Sequence, residues 1–256
     1  MITLTWHGGA VAEITLDRPE ALNALSTKMA EELIRVCGEV AASRAHAVVL
    51  SAAGAKAFCV GADLKERNGM SDADLLAQRP VFRAAFGAVL GLPQPSVAAV
   101  HGFALGGGTE LALSCDLVAA EPGAVFGLPE VSIGLVPGGG GTQLMARRVG
   151  PARAADLVLT GRKIGFEEAV ALGVVDRPAP SGGAREAALE TARAIAANSP
   201  VATRAAKRAL RHGAPLDLAA ALDVEDNAWR TAALSADRRE GVAAFNERRA
   251  PVWPGV

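Results

Sequence analysis

HGFALGGGTELALSCDLVAAEPGAVFGLPE, residues 101–130, is the stretch whose reading decides the fold. Ser96–Val100 just before it is a short apolar run, read as a buried strand. Gly106, Gly107 and Gly108 then let backbone N–H groups approach a ligand, since no Cβ stands in the way. An apolar helix follows, and the first turn of a helix offers free N–H donors and a partial positive charge to an oxyanion. Glu110 sits in that first turn, and Glu130 follows a Leu-Pro step twenty residues on. A carboxylate beside an oxyanion site is the raw material of acid/base chemistry at a carbonyl.

Working outward toward the N-terminus, Ile2–Leu16 reads as a hairpin around His7-Gly8-Gly9, and Asp17-Arg18-Pro19-Glu20 as a turn. Ser26 or Thr27 caps a helix to about Val40 with Met29, Leu33, Val36 and Val40 on one face. Ala47–Leu50 is a buried strand, and FCVGADLKE (58–66) carries another glycine before a charged helix start. Gly69–Gln78 is polar and reads as a mobile segment, with a helix from there to about Leu90. Toward the C-terminus, PGGGGT (137–142) is a second glycine loop before a helix. It is read as a turn that lets two backbones pass closely, in preference to a phosphate nest. Val174-Val175 is read as a last short strand, and from Gly182 onward the pattern is helical with breaks at Pro200 and Pro215. Strands mixed with helices, then helices alone, describe an α/β core (1–195) followed by a helical region (196–256). No repeat of fixed period is visible.

Half of the 256 residues are hydrophobic and 21% are charged, which supports a sizeable core and excludes a disordered chain. A formal net charge of −1 argues against a nucleic-acid partner. Cys37, Cys59 and Cys115 are odd in number and scattered, so neither a disulfide framework nor a metal site is expected. The N-terminus has no signal-peptide pattern and no apolar run approaches the roughly 18–20 residues of a membrane span. A cytoplasmic location without membrane contact is the expectation.

Taken singly, each motif has an ordinary explanation. Glu110 is a first-turn glutamate favoured by the helix dipole, and Glu130 a loop carboxylate. Gly102–Thr109 lacks the lysine of a phosphate-binding loop, and neither glycine cluster completes GxGxxG. His101 has no nucleophile in a suitable context, and Ser114 and Cys115 read as packed.

The combination is more specific. FCVGADLKE, then HGFALGGGTELAL, then FGLPEVSIGLVPGGGGTQ, flanked by LDRPEALNALS, LVLTGRKIGFEEAVALGVVD and DRREGVAAFNERR, resembles the crotonase (enoyl-CoA hydratase/isomerase) family along nearly the whole chain. The resemblance implies a spiral of repeated ββα units with a C-terminal helical trimerisation region, assembled as a homotrimer or a hexamer. It implies oxyanion-hole N–H groups at Ala62 and Gly107 and catalytic glutamates at Glu110 and Glu130. The CoA-binding strip falls on Ala21, Leu22, Ala24, Val60, Asp63 and Leu64, with Lys56 and Lys65 toward the phosphates. Phe245 of a neighbouring subunit would complete that pocket. CoA arrives as part of the substrate, so no metal or other cofactor is expected.

Relatives with other chemistries keep the oxyanion hole and lose one or both carboxylates. The presence of both here implies a hydratase, adding water across C2=C3 of a 2-enoyl-CoA. Three alternatives remain: a methylglutaconyl-CoA-type hydratase of a branched or carboxylated enoyl-CoA, a Δ3,Δ2-enoyl-CoA isomerase, and a non-catalytic acyl-CoA- or RNA-binding member of the fold. A basic group near the acyl pocket would favour the first, whereas Phe82–Leu92 holds one arginine and no lysine, which disfavours RNA.

Overall fold

The computed structural model describes residues 1–256. The chain opens with the hairpin β1 (Ile2–His7) and β2 (Val11–Leu16), whose turn uses Gly8 and Gly9 at positive φ. Helix α1 (Thr27–Ala42) starts where the Ser26 hydroxyl accepts from Met29 N, and its buried face includes Met29, Leu33, Val36 and Val40, as the spacing predicts. There follow β3 (Ala47–Ala52), β4 (Ala57–Cys59), α2 (Leu64–Arg67), α3 (Asp72–Leu90), β5 (Ser96–Val100), β6 (Phe103–Leu105), α4 (Gly107–Ser114), β7 (Leu117–Ala120) and β8 (Val125–Gly127). After them come α5 (Gly141–Val149), α6 (Pro151–Thr160), β9 (Lys163–Gly165), α7 (Phe166–Ala171), β10 (Arg177–Pro178), α8 (Ala184–Ala196), α9 (Pro200–Gly213), α10 (Leu218–Ala233) and α11 (Ala236–Glu247).

Two sheets share these strands. One is six-stranded in the order β1-β2-β3-β5-β7-β10, antiparallel only at the first pair, and the other is four-stranded, β4-β6-β8-β9. The chain therefore lays one strand in each sheet and then turns into a helical segment, three times over: β3-β4, β5-β6 and β7-β8. This is the ββα spiral that the resemblance implies. Alternation along the strands builds the layers. Val49, Val97 and Ala119 face Ala188, Leu189 and Ala192 of α8, while Val48, Leu50, Ala98, Val100, Val118 and Ala120 face the main core.

Two local expectations change. Gly69–Gln78 is mostly helical: Ser71 and Asp74 form a reciprocal capping box, and the buried Gln78 bonds Arg67, Thr27 and Glu66. The polar composition that suggested mobility is a helix cap and a buried hydrogen-bond hub. The last strand is Arg177–Pro178 rather than Val174-Val175. The two valines bond Ala169 O at the end of α7 and plug the core, and the register with β7 begins only at Arg177↔Ala119.

The helical C-terminal region is locked to the core from behind by α9. Lys207, almost fully buried, pairs with Asp116 at 2.7 Å and donates to Gln94 O. The Arg211 guanidinium bonds Asp116, Ser114 O at the end of α4, and Leu90 O at the end of α3. Cys37, Cys59 and Cys115 are all buried and unpaired, and burial pushes each thiol up to about 12. No helix is long and apolar enough to cross a membrane.

Candidate active site

Each second strand of the spiral is followed closely by a candidate site residue. Ala62 follows β4, Gly107 follows β6 and Glu130 follows β8, and the parallel pairing of β4, β6 and β8 sets these three ends side by side. Residues more than sixty positions apart in sequence thus converge without any long-range loop.

The first two ends touch. Gly61 has φ +90°, and a Cβ there would lie 3.0 Å from Gly107 N. Ala62 is held from its other side by a bridge to Leu25, in which Leu25 N donates to Gly61 O and Asp63 N to Leu25 O, both at 2.8 Å. That pattern uses the Gly61 carbonyl and the Asp63 N–H and leaves the Ala62 N–H without an acceptor. Gly107 opens α4, where no side chain caps the helix, so its N–H is also free and carries the positive end of the helix dipole. Two adjacent free N–H groups are what an oxyanion requires.

The close approach depends on buried glycine and on Thr109. A Cβ at Gly108 would fall 1.9 Å from Cys59 O, so α4 lies directly on the end of β4. The buried Thr109 hydroxyl donates to Ala104 O or Gly127 O and accepts from Gly127 N, tying α4 to β6 and β8.

Glu110 is buried, and its Oε1 accepts from Gly139 N at 2.6 Å and Gly141 N at 2.7 Å. The PGGGGT loop therefore has a role its sequence did not reveal. It is an anion nest, and the anion is the chain's own carboxylate. Burial raises the Glu110 pKa above the ordinary range, and the two amides, with the Arg79 charge, pull against that rise. Glu130 lies in a 3-10 turn, Pro129–Ile133, with Oε1 against Gly106 and with Oε2 buried and unpartnered. Burial first, then the charge of Glu110, pushes it up to about 7. One carboxylate is cradled by two amide donors on one oxygen, and the other has a buried oxygen without a partner, so the two sit in unlike environments.

Ala21, Leu22 and Ala24 border a 3-10 turn, Pro19–Ala21, and reach the Ala62 strip through the Leu25 bridge. Leu22 and Asn23 both adopt positive φ, held by Asn23 Nδ2 donating to Ala53 O and Ala57 O. Val60 is half-buried, and Leu64, Lys56 and Lys65 are exposed along the same edge. The Asp63 carboxylate is fully engaged within the fold: it caps α2 through Lys65 N and Glu66 N and pairs with Arg18 at 2.6 Å. Asp63 thus holds the strip together, with Arg18 as a partner the sequence did not mark. Phe245 is 84% exposed on α11, away from the Ala62 strip. His101 leaves a buried Nε2 without a partner and is not drawn into the carboxylate pair. No group of three His, Cys, Asp or Glu side chains could hold a metal ion.

The sequence profile described as enoyl-CoA hydratase/isomerase matches residues 7–255. The chain belongs to this family. The crotonase members most similar to it include the mitochondrial enoyl-CoA hydratase domain-containing protein 2 of Homo sapiens, 40% identical over 250 residues that cover 96% of this chain and 86% of that one. The short-chain-enoyl-CoA hydratase of Clostridium acetobutylicum is 38% identical over 242 residues, 94% of this chain and 93% of the other. The crystal structure of an enoyl-CoA hydratase from Bacillus anthracis superposes with a TM-score of 0.96 at 40% identity, covering 100% of this chain and 99% of that chain. The fold of this crotonase chain is thus that of a solved hydratase from end to end.

Proposed function

We propose that this chain is an enoyl-CoA hydratase that adds water across the C2=C3 bond of a 2-enoyl-CoA thioester. The observation that carries the reading is the unlike pair of carboxylates, Glu110 in its amide nest and Glu130 near neutrality, beside two free N–H donors. The thioester oxygen accepts from Ala62 N and Gly107 N, which stabilises the enolate charge that forms as water attacks. Glu110 takes a proton from the water as its oxygen bonds C3, and Glu130 gives its proton to C2. The C2=C3 π bond and two O–H bonds, one of water and one of Glu130, break. A C–O, a C–H and a Glu110 O–H bond form, with both new carbon bonds on one face. Return of a proton from Glu110 to Glu130 through water resets the pair. The Ala21–Ala24 and Val60–Lys65 edges take the CoA portion, with Lys56 and Lys65 toward its phosphates. The exposed apolar residues Leu222 and Trp229 on α10 and Phe245 on α11 are assigned to contacts between copies, as a trimer or hexamer.

The direct test is loss of the conjugated-thioester absorbance when the protein meets crotonyl-CoA, compared with a 3-enoyl-CoA. Hydration of the 2-enoyl thioester supports the proposal; turnover of the 3-enoyl compound alone makes the chain an isomerase.

A pH dependence follows from the assigned roles. Glu130 must be protonated to act as the acid, so kcat/KM declines as pH rises through about 7, approaching tenfold per unit above it. A flat profile between pH 6 and 9 would remove Glu130 from that role.

A further inference from the structure

An arginine without an ion-pair partner stands against the glycine loop that holds Glu110. Helix α3 supplies Phe86, whose ring would meet Cβ atoms built at Gly107 and Gly139 at 3.1 and 2.7 Å. It therefore spans from an oxyanion donor to the loop that holds Glu110. About 10 Å back along the same helix is Arg79, whose guanidinium Nη1 lies 3.1 Å from a Cβ built at Gly138 in that same loop. Between them is Phe82, with the Arg67 guanidinium stacked over its ring at 4.9 Å. Back along α3 from the Gly107 donor, the side chains are thus aromatic first and cationic last.

Neither arginine has a carboxylate oxygen within 4.0 Å, whereas Arg18, Arg148, Arg185 and Arg211 each do. Arg67 bonds only Gln78 Oε1. The nearby acids are already engaged: Glu66 accepts from Thr27 N and Gln78, Asp74 closes the Ser71 cap, and Glu110, which feels the Arg79 charge, is held by Gly139 N and Gly141 N. Burial, and the like charge of Arg79 against the attraction of Glu66, hold Arg67 below the usual arginine range. Two guanidinium groups that repel one another, one of them half-buried, are relieved by an anion placed between them.

We propose that the acyl chain of the substrate ends in a carboxylate and that Arg79, supported by Arg67, binds it. The inference rests on the acyl-CoA reading above and names the class of acyl group. Arg79 is then the residue that selects an acidic chain over a neutral one.

The test compares 2-hexenoyl-CoA with its ω-carboxylated counterpart, hex-2-enedioyl-CoA, in the wild type, in Arg79→Gln and in Arg79→Glu. A charge-assisted bidentate contact gives the wild type a preference of roughly 10- to 100-fold in kcat/KM for the acidic chain. Arg79→Gln abolishes the preference and Arg79→Glu reverses it. A wild type that favours the neutral chain overturns the proposal and leaves the hydratase reading intact. An equal loss on both substrates in Arg79→Gln also overturns it, because Arg79 would then act through Glu110 or through the CoA portion common to both. If neither thioester is hydrated, the hydratase reading fails, and dissociation constants for adipoyl-CoA and hexanoyl-CoA decide the matter. Tighter binding of adipoyl-CoA, lost in Arg79→Gln, upholds the proposal and equal affinities overturn it.

Discussion

Replacing Glu130 by glutamine lowers hydration by about 10²–10⁴-fold and at the same time makes the protein more stable above neutral pH. The kinetic part follows from removing a positioned acid while keeping its shape. Glu110→Gln gives a loss of the same order, since the amide oxygen can still accept from Gly139 N and Gly141 N but no longer takes a proton. The stability part follows from the raised pKa of Glu130; Glu110, also raised by burial, shifts in the same direction. Glu130 titrates near 7 in the folded chain against an ordinary value of 4.5. A raised carboxyl contributes fully below its unfolded pKa, and the contribution is lost as pH climbs through its folded value. At pH 8 the wild type therefore bears the cost of an ionised, half-buried carboxylate, roughly 3 kcal/mol, which glutamine removes. At pH 4.5 the variant and wild type differ little. Denaturant titrations at pH 5 and pH 8, beside crotonyl-CoA kinetics, check both halves. Wild-type turnover in either variant would exclude that glutamate from the chemistry.

Gly108→Ala is expected to be among the most disruptive single-methyl changes in the molecule. The added carbon would stand 1.9 Å from Cys59 O, a backbone atom inside a sheet, so no rotamer change relieves it. Helix α4 must lift from β4, at a cost of about 3 kcal/mol, the upper end of overpacking in a filled core. For a chain of this size that is a fall of roughly 6–12 °C in Tm. Because Gly107 moves with the helix while Ala62 stays with β4, kcat falls even where the variant remains folded. Gly38→Ala is the control. Gly38 lies in α1 with open space where its Cβ would stand, so alanine raises stability by about 0.5–1 kcal/mol. A Gly108→Ala variant that melts with the wild type would mean that α4 does not rest on β4.

The legible parts of the fold are those whose signals are local. Ser26 and the Met29-Leu33-Val36-Val40 face define α1 unaided, and Ser96–Val100 is a strand by its apolar run. The spiral itself is not legible from pattern, because β4, β6 and β8 are three residues each and the helical segment between repeats varies from α2 with α3 to α4 alone. No periodicity survives that variation. Ser71-Asp72-Ala73-Asp74 held a readable cap whose polar composition masked it. In the site, Glu110 and Glu130 became more than ordinary glutamates only through the family resemblance, since their roles depend on burial. The glycine loop at 137–142 could not be read as a cradle, because its anion is a side chain 29 residues away. Arg79 carried no signal at all, because an exposed arginine without a neighbour in sequence looks like any other.

The three core thiols have a practical consequence. Buried and held near pKa 12, Cys37, Cys59 and Cys115 present almost no thiolate to an alkylating reagent while the chain is folded. The natural protein is thus already a silent background for chemical labelling. A single cysteine substituted at the exposed Phe245 would take a spin or fluorescent probe alone, and a probe–probe distance, or its absence, would report whether copies of the chain assemble. The slow reaction of the native three, followed without any substitution, counts how often the interior opens to water.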